Sequence, residues 1–234
     1  MRNCIKKNNY FMIFTEITIS FFFFIVVLVS NCYGANLKAL VTDTEGKPVE
    51  FAVVTATPTS FTVKESKHQV TVIIDQVDKE FIDYVTPIQV GTTVSFPNND
   101  KIRHHIYSFS PAKTFEIPLY PPGVKAENKV LFDKPGVVVI GCNIHDWMKA
   151  YIYVLETPYF ARSDSQGKMT INNLPDGQYD VAIWHPNQDP KSPGQTMKVS
   201  VVNNKDGDVK FTVHLTHQWS SRRAPVLGGV GLYH

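Results

Sequence analysis

Short apolar runs separated by glycine and proline follow one another along most of the chain. Residues 37–57 read LKALVTDTEGKPVEFAVVTAT, in which apolar and polar positions alternate on both sides of a turn at residues 44–48. A period of two residues around such a turn predicts a β-hairpin. Beyond the N-terminal apolar run, no segment shows a sustained helical period. The pattern therefore predicts an all-β protein.

The N-terminal segment has a different pattern. Three basic residues within the first seven precede the apolar run ITISFFFFIVVLVS, and this order predicts a secretory signal peptide over residues 1–34, cleaved after Gly34. Two anchored alternatives stay open: a lipoprotein signal acylated at Cys32, and an uncleaved N-terminal anchor interrupted by Glu16. The expected location is the periplasm.

Composition and cysteine usage narrow the possible functions. The exported chain of about 200 residues is long enough for one large or two small domains. A formal net charge of +2 indicates no polyanionic partner such as nucleic acid. Cys4 and Cys32 leave with the signal peptide, which makes Cys142 the one remaining thiol. A lone thiol in an oxidising compartment is buried and inert, paired between chains, or bound to metal.

The candidate chemistry lies in the turn between the apolar runs GVVVIG and KAYIYV. Cys142, His145 and Met148 follow one another at intervals of three residues, and they offer three of the four ligands of a blue-copper site. The second imidazole has to come from another segment. His104 stands between two strand-like runs and is the expected ligand, and His105 is the alternative if the strand register shifts by one residue.

With these residues in place, residues 68–155 resemble the cupredoxins, the family of plastocyanin and amicyanin, and in particular the type called methylamine utilisation protein. The resemblance implies a Greek-key β-sandwich that holds one type-1 copper ion. Its ligands would be His104, Cys142 and His145, with Met148 as a weak axial ligand. We also expect Asn99, which lies close before the first histidine, to form a hydrogen bond with the ligand turn.

The flanking segments resemble a second family, the carboxypeptidase-regulatory-like domains, which are small transthyretin-type β-sandwiches. A D-x-x-G turn occurs at Asp43 and Gly46 and again at Asp164 and Gly167, and the second turn is followed by LPDGQY. An isolated hairpin is marginally stable in water, so the first turn needs strands from elsewhere in the chain.

These resemblances together predict the domain organisation. A discontinuous sandwich is formed by residues 36–60 and 157–217, and the cupredoxin domain of residues 66–155 is inserted into it or packed against it. In the alternative, the first hairpin adds strands to the cupredoxin domain. Residues 218–234 show no periodicity and are expected to be a flexible tail.

The predicted function is an exported type-1 copper protein that carries single electrons between periplasmic redox partner proteins. A copper-binding module for sensing, storage or delivery is the alternative, and a metal-free structural protein is the third reading. We assign no catalytic residue, because a copper enzyme would need further histidine clusters and the chain shows no recognisable catalytic triad, phosphate loop or carboxylate pair. No membrane contact is expected beyond the possible N-terminal anchor.

Overall fold

β-strands make up the regular structure of the part of the chain that the computed structural model describes, which is residues 34–63, 70–124, 128–192 and 194–216. The all-β prediction is confirmed, since these residues form 17 strands and no helix. Accordingly, none of them belongs to an apolar helix of membrane-spanning length. The predicted signal peptide and the predicted tail of residues 218–234 lie outside the described residues.

The strands are numbered in chain order. They are β1 (Ala35–Asp43), β2 (Val53–Pro58), β3 (Thr71–Ile73), β4 (Gln76–Val77), β5 (Glu80–Phe81), β6 (Val85–Gln89), β7 (Thr92–Ser95), β8 (His104–Ser110), β9 (Lys113–Tyr120), β10 (Lys129–Phe132), β11 (Gly136–Cys142), β12 (His145–Leu155), β13 (Phe160–Arg162), β14 (Lys168–Leu174), β15 (Gly177–Trp184), β16 (Thr196–Val201) and β17 (Gly207–Val213).

Strands from the two ends of the described chain share two sheets. Their orders are β14-β1-β17 and β13-β2-β15-β16. Inward-facing residues of both sheets, including Leu37, Val41, Tyr179 and Phe211, form one hydrophobic core. The hairpin predicted over residues 37–57 is wrong, because β1 and β2 lie in different sheets: β1 runs parallel to β17 and antiparallel to β14, whereas β2 pairs with β13 and β15.

The central segment forms its own sheets around a second core. A three-stranded sheet has the order β10-β7-β3, a five-stranded sheet has the order β6-β12-β11-β8-β9, and β4 and β5 make a separate hairpin. The core between them contains Phe96, Ile106, Phe132 and Ile152. Each core draws on its own set of strands, and the division of the chain into domains at the predicted boundaries stays a prediction.

A smaller cluster of apolar side chains joins the two sets of sheets. Tyr151 and Tyr153 project from β12 towards Trp184 of β15, with ring centroids 6.1 and 4.8 Å from the indole. Arg162 on β13 adds an ion pair with Asp83, where its Nη1 lies 3.0 Å from the carboxylate. Because β12 starts at the candidate metal ligands, these contacts help to keep the strand that carries those ligands in position.

The D-x-x-G turn at Asp164 shows why the motif ends in glycine. The Asp164 carboxylate accepts backbone N–H groups from Gln166 and Lys168 at 2.8 and 2.9 Å, which bends the chain and leaves Gly167 at φ +71°. Val41 of β1 donates its N–H to the Gly167 carbonyl at 2.8 Å. This approach is so close that a Cβ atom on Gly167 would lie 2.2 Å from the Val41 oxygen.

The two D-x-x-G turns give a matched pair of variants. Gly46 has a similar φ of +81°, but a Cβ atom there meets nothing within 4 Å. We expect Gly46→Ala to lower the free energy of unfolding by about 1–2 kcal/mol, the cost of placing an L-residue in the left-handed region. Gly167→Ala should cost clearly more, because β1 and β14 must also move apart. Urea unfolding of both variants measures the difference, and equal costs would contradict the close approach.

Candidate metal centre

The β11–β12 hairpin brings the first two predicted ligands together. Cys142 and His145 are directly opposite one another across a two-residue turn. Residues paired in this way project their side chains to the same face of a sheet, about 4.5–5.5 Å apart at Cβ. The spacing C-x-x-H is therefore what places a thiol beside an imidazole here, and both side chains face the interior, with Cys142 only 3 % exposed.

Met148 follows in the same strand, after a bulge. The register shifts next to Cys142, and Lys149 becomes the partner of Gly141. Since neighbouring strand residues face opposite sides, Met148 faces the side opposite to Lys149, which is the interior. It is buried in the hydrophobic core that also contains Cys142.

Strand β8 determines which of the two adjacent histidines faces the thiol. Tyr107 pairs with Gly141 of β11, and His105, two residues before it, is on the same outer face. There His105 Nε2 lies 2.8 Å from a Glu116 carboxylate oxygen. His104 faces the interior and is fully buried. The structure thus brings His104 to Cys142 and leaves His105 on the other side of the sheet.

Three ligand atoms converge at this point. The side chains of His104, Cys142 and His145 each offer one atom, and these atoms all lie within 4.8 Å of one another. The Cys142 sulfur is 3.7 Å from His104 Nδ1 and 3.6 Å from His145 Nδ1. Cys142 is a free thiol. The cluster is the only group of three or more histidine, cysteine or acidic side chains with metal-binding geometry among the described residues.

These distances and donor types fit a first-row transition metal. A metal about 2.3 Å from sulfur and about 2.0 Å from nitrogen, the values for zinc, holds the two donors about 3.5–3.7 Å apart at bond angles of about 110–120°. The observed separations agree with this range. One thiolate and two imidazoles are also the trigonal donor set of blue-copper centres, so the residues present fit a copper ion.

Electrostatics favour the metal-binding forms of two of these groups. Burial acts to raise the pKa of the Cys142 thiol, but hydrogen bonds from His104 and from the backbone N–H groups of His105 and Ile144 outweigh it, so the pKa lies below its ordinary value. Burial and the charge of His104 lower the pKa of His145. A thiolate and a neutral imidazole are the forms that bind metal.

The pKa of His104 shifts in the other direction. Burial acts to lower it, but the hydrogen bonds with Cys142 and Asp100 prevail and raise it above the ordinary histidine value. These two contacts favour the protonated form of the His104 ring. A metal bound at Nδ1 would displace a proton from that nitrogen, as metal binding to protein ligands commonly does.

The residue that supports His104 is Asp100, which the sequence reasoning missed. Its Oδ2 lies 2.9 Å from His104 Nε2, and its side chain is almost fully buried. The carboxylate therefore holds the proton on Nε2 and leaves Nδ1 for a ligand, the usual arrangement of metal-binding histidines. Asn99, the residue expected in such a role, is exposed and donates its amide to Asp75 at 2.6 Å.

The described residues thus define an all-β protein with a buried cluster of one cysteine and two histidines. No protein-family model matches the chain, and no curated protein matches its sequence. Among solved structures, a purple cupredoxin from Nitrosopumilus maritimus is 25 % identical, with a TM-score of 0.32, and the match covers 37 % of this chain and 100 % of that one.

Two further solved structures give a similar result. A copper-containing nitrite reductase from Thermus scotoductus is 31 % identical, with a TM-score of 0.34, over 43 % of this chain and 26 % of its own length. A reduced mutant form of amicyanin is 18 % identical, with a TM-score of 0.32, over 44 % of this chain and 98 % of its own. These likenesses are partial, and the case for a metal comes from the three buried side chains themselves.

Proposed function

We propose that this chain is a type-1 copper protein that carries single electrons between partner proteins. The observation that supports the proposal is the convergence of the Cys142 sulfur with the Nδ1 atoms of His104 and His145 at 3.6–3.7 Å in a buried cluster. Bound copper supplies a one-electron couple at such a cluster. Met148 is the proposed fourth, axial ligand.

The chain's own contribution is to keep the ligand atoms in place. Cys142 and His145 are held by the pairing of β11 with β12, and His104 is held by β8 and by the Asp100 carboxylate. The cluster lies in a packed hydrophobic core, which excludes water from the thiolate. Ligands that do not move when the charge of the metal changes keep the barrier to electron exchange low.

His145 is the proposed route for electrons to a partner protein. His104 is completely buried, whereas His145 is 9 % exposed and its ring lies 5.3 Å from the partly buried ring of Trp147. The neighbouring Ile144 is half exposed. A partner that contacts the ligand turn would thus approach the cluster through one imidazole.

The remaining parts of the proposal come from the sequence. They are export to the periplasm with cleavage after Gly34, redox partner proteins in that compartment, and no catalytic activity of its own. Membership of the methylamine utilisation type depends on the sequence resemblance alone, and we assign no amine recognition. The mass of the protein isolated from its native host tests export, because cleavage predicts a chain that starts at Ala35.

The test of function is to add Cu(II) to the purified metal-free protein. We expect one copper per chain, an intense visible absorption from the cysteine thiolate, and a reversible one-electron couple in voltammetry without loss of the metal. Rapid transfer of Cu(I) to a competing chelator, without a stable couple, would favour copper as cargo for storage or delivery. A colourless product would contradict the type-1 proposal.

Met148→Leu gives a prediction about the axial position. Leucine has a similar volume and is apolar, so the fold should tolerate it with a loss of less than about 1.5 kcal/mol. We expect the visible absorption to persist and the reduction potential to rise, because a weak donor to the oxidised metal is lost. Each tenfold change in relative affinity for the two oxidation states shifts a one-electron potential by about 59 mV. An unchanged potential would remove Met148 from the ligand set.

A further inference from the structure

A tight turn next to the cluster touches both segments that carry its ligands. The β4–β5 hairpin turns at Asp78 and Lys79, whose φ angles are +52° and +62°, as a two-residue hairpin of the primed type requires. The N–H group of Lys79 donates to Asp100 Oδ2 at 2.6 Å, and the carbonyl of Lys79 accepts the indole N–H of Trp147 at 3.1 Å. The backbone of Lys79 thus forms hydrogen bonds with both Asp100 and Trp147.

The first of these bonds leads to His104. Asp100 Oδ2, which accepts the Lys79 N–H, is also the oxygen 2.9 Å from His104 Nε2. The other carboxylate oxygen accepts the N–H of Lys101 at 2.6 Å. Both oxygens are therefore engaged, and the orientation of the carboxylate, and with it that of the imidazole, is fixed from two sides.

The second bond leads to the ligand turn. Trp147 lies between His145 and Met148 in sequence, and its ring is 5.3 Å from the His145 ring. Its indole N–H can donate in only one direction, so the bond to Lys79 fixes the orientation of the indole. The bulge of β12, which carries His145 and Met148, is thereby tied to the turn that also holds Asp100.

We propose that Asp100, Lys79 and Trp147 act as a clamp that holds His104 and the ligand turn at metal-binding distance before a metal arrives. Asp100 and Trp147 are positioning residues in this arrangement, and the Lys79 peptide groups connect them. Holding side chains in one conformation has an entropy cost. If the ligands are already ordered when the protein folds, metal binding does not bear this cost, and the affinity for the metal is higher. The inference depends on the proposed metal site. It adds that hydrogen bonds outside the ligand set hold the ligands in position without the help of the metal.

Metal affinity of single and double variants tests the clamp. Zn(II) is the probe, because it binds the same donors without redox chemistry, and competition with a chromophoric chelator gives its dissociation constant. We expect Asp100→Ala to weaken Zn(II) binding by about 10–100-fold, the usual effect of removing a partner of a metal-binding histidine. Trp147→Phe keeps a ring beside His145 but removes the N–H donor, and it should weaken binding by a smaller factor.

The double variant separates a clamp from two independent supports. If both residues act through Lys79, their effects are not additive, and the double variant should lose less affinity than the product of the two single losses. Asp133→Asn is the matched control, since Asp133 is an exposed carboxylate paired with Lys113 and should leave affinity unchanged. In the copper-loaded proteins, the position of the thiolate absorption should shift in Asp100→Ala and not in Asp133→Asn.

The outcomes distinguish the clamp from the site itself. If the unmodified protein binds neither Zn(II) nor Cu(II), the metal site is wrong. If it binds both, and the Asp100 and Trp147 variants bind as tightly with the same spectrum, the clamp is wrong and the site stands. Multiplicative losses in the double variant would exclude the connection through Lys79. Should Asp100→Ala fail to fold, Asp100→Asn replaces it, and a smaller loss in the same direction is expected.

Discussion

Replacing Cys142 by serine is expected to abolish the intense visible absorption of the copper-loaded protein and most of its affinity for copper. The absorption depends on a bond between sulfur and the metal, and a serine hydroxyl provides neither a soft donor nor an anion at neutral pH. The serine oxygen would still lie between the Nδ1 atoms of His104 and His145 and could hydrogen-bond to either. We therefore expect a folded protein, with a change in the free energy of unfolding of about 0.5–3 kcal/mol.

Absorption spectra of the copper-loaded variant and the unmodified protein measure this directly. Thiol titration is the control, because the exported chain predicted here has Cys142 as its one thiol. One reactive thiol is expected in the unfolded metal-free protein and none in Cys142→Ser. An absorption of undiminished intensity in Cys142→Ser or Cys142→Ala would show that the colour comes from another site, and the proposed function would fail with it.

The second large effect is expected from the pair of adjacent histidines. His104→Ala removes an inward-facing donor and leaves the buried Asp100 carboxylate without its partner at 2.9 Å. We expect metal affinity to fall by more than the roughly 10–100-fold typical of supporting residues, and stability to fall as well, because the buried carboxylate loses one of its three hydrogen bonds. His105→Ala removes a side chain on the outer face and its hydrogen bond with the exposed Glu116 carboxylate, worth about 0–1 kcal/mol at the surface.

Zn(II) and Cu(II) affinities of the two variants, together with urea unfolding of their metal-free forms, complete the comparison. The two substitutions delete the same side chain one residue apart in one strand, so each is the control for the other. Copper binding should survive in His105→Ala and be lost in His104→Ala. The reverse result would mean that β8 is displaced by one residue from the register described here.

Local pairing explains what the sequence could predict about the site. Cys142 and His145 are three residues apart in a turn between two apolar runs. A two-residue hairpin turn places the residues on either side of it directly opposite one another. Met148 follows in the same strand. The sequence was therefore sufficient for these side chains, because their proximity depends on hydrogen bonds between adjacent segments.

The partners contributed by distant segments were harder to predict. His104 and His105 both fit the pattern, and only the pairing of Tyr107 with Gly141 determines which one faces inward. The loop before β8 has no periodicity, so nothing in the local pattern favoured Asp100 over Asn99. Its path depends on the Lys79 turn, which lies more than 20 residues earlier in the chain.

The same reasoning applies to the larger architecture. Alternation predicted the strands, since it is set by neighbouring residues, but each D-x-x-G turn joins strands of two different sheets and does not close a hairpin. The parallel pairing of β1 with β17 connects residues about 170 positions apart, as in the bond from the Asn36 N–H to Asp206. Nothing in the local pattern specifies such a partner, because it is selected by the packing of the whole core.

Strand β12 extends from the candidate metal ligands to the contact between the two sets of sheets, and this affects how another protein can dock. It contains 11 residues, so it spans roughly 33 Å in extended conformation. It begins with a candidate ligand, His145, and its later residues Tyr151 and Tyr153 are wedged against Trp184 of the neighbouring sheet. One continuous strand therefore connects the candidate ligands in one core with the aromatic contacts beside the other core. A docking protein that binds only the sheets formed by the two ends of the described chain would therefore meet the proposed metal site at a constant distance and angle.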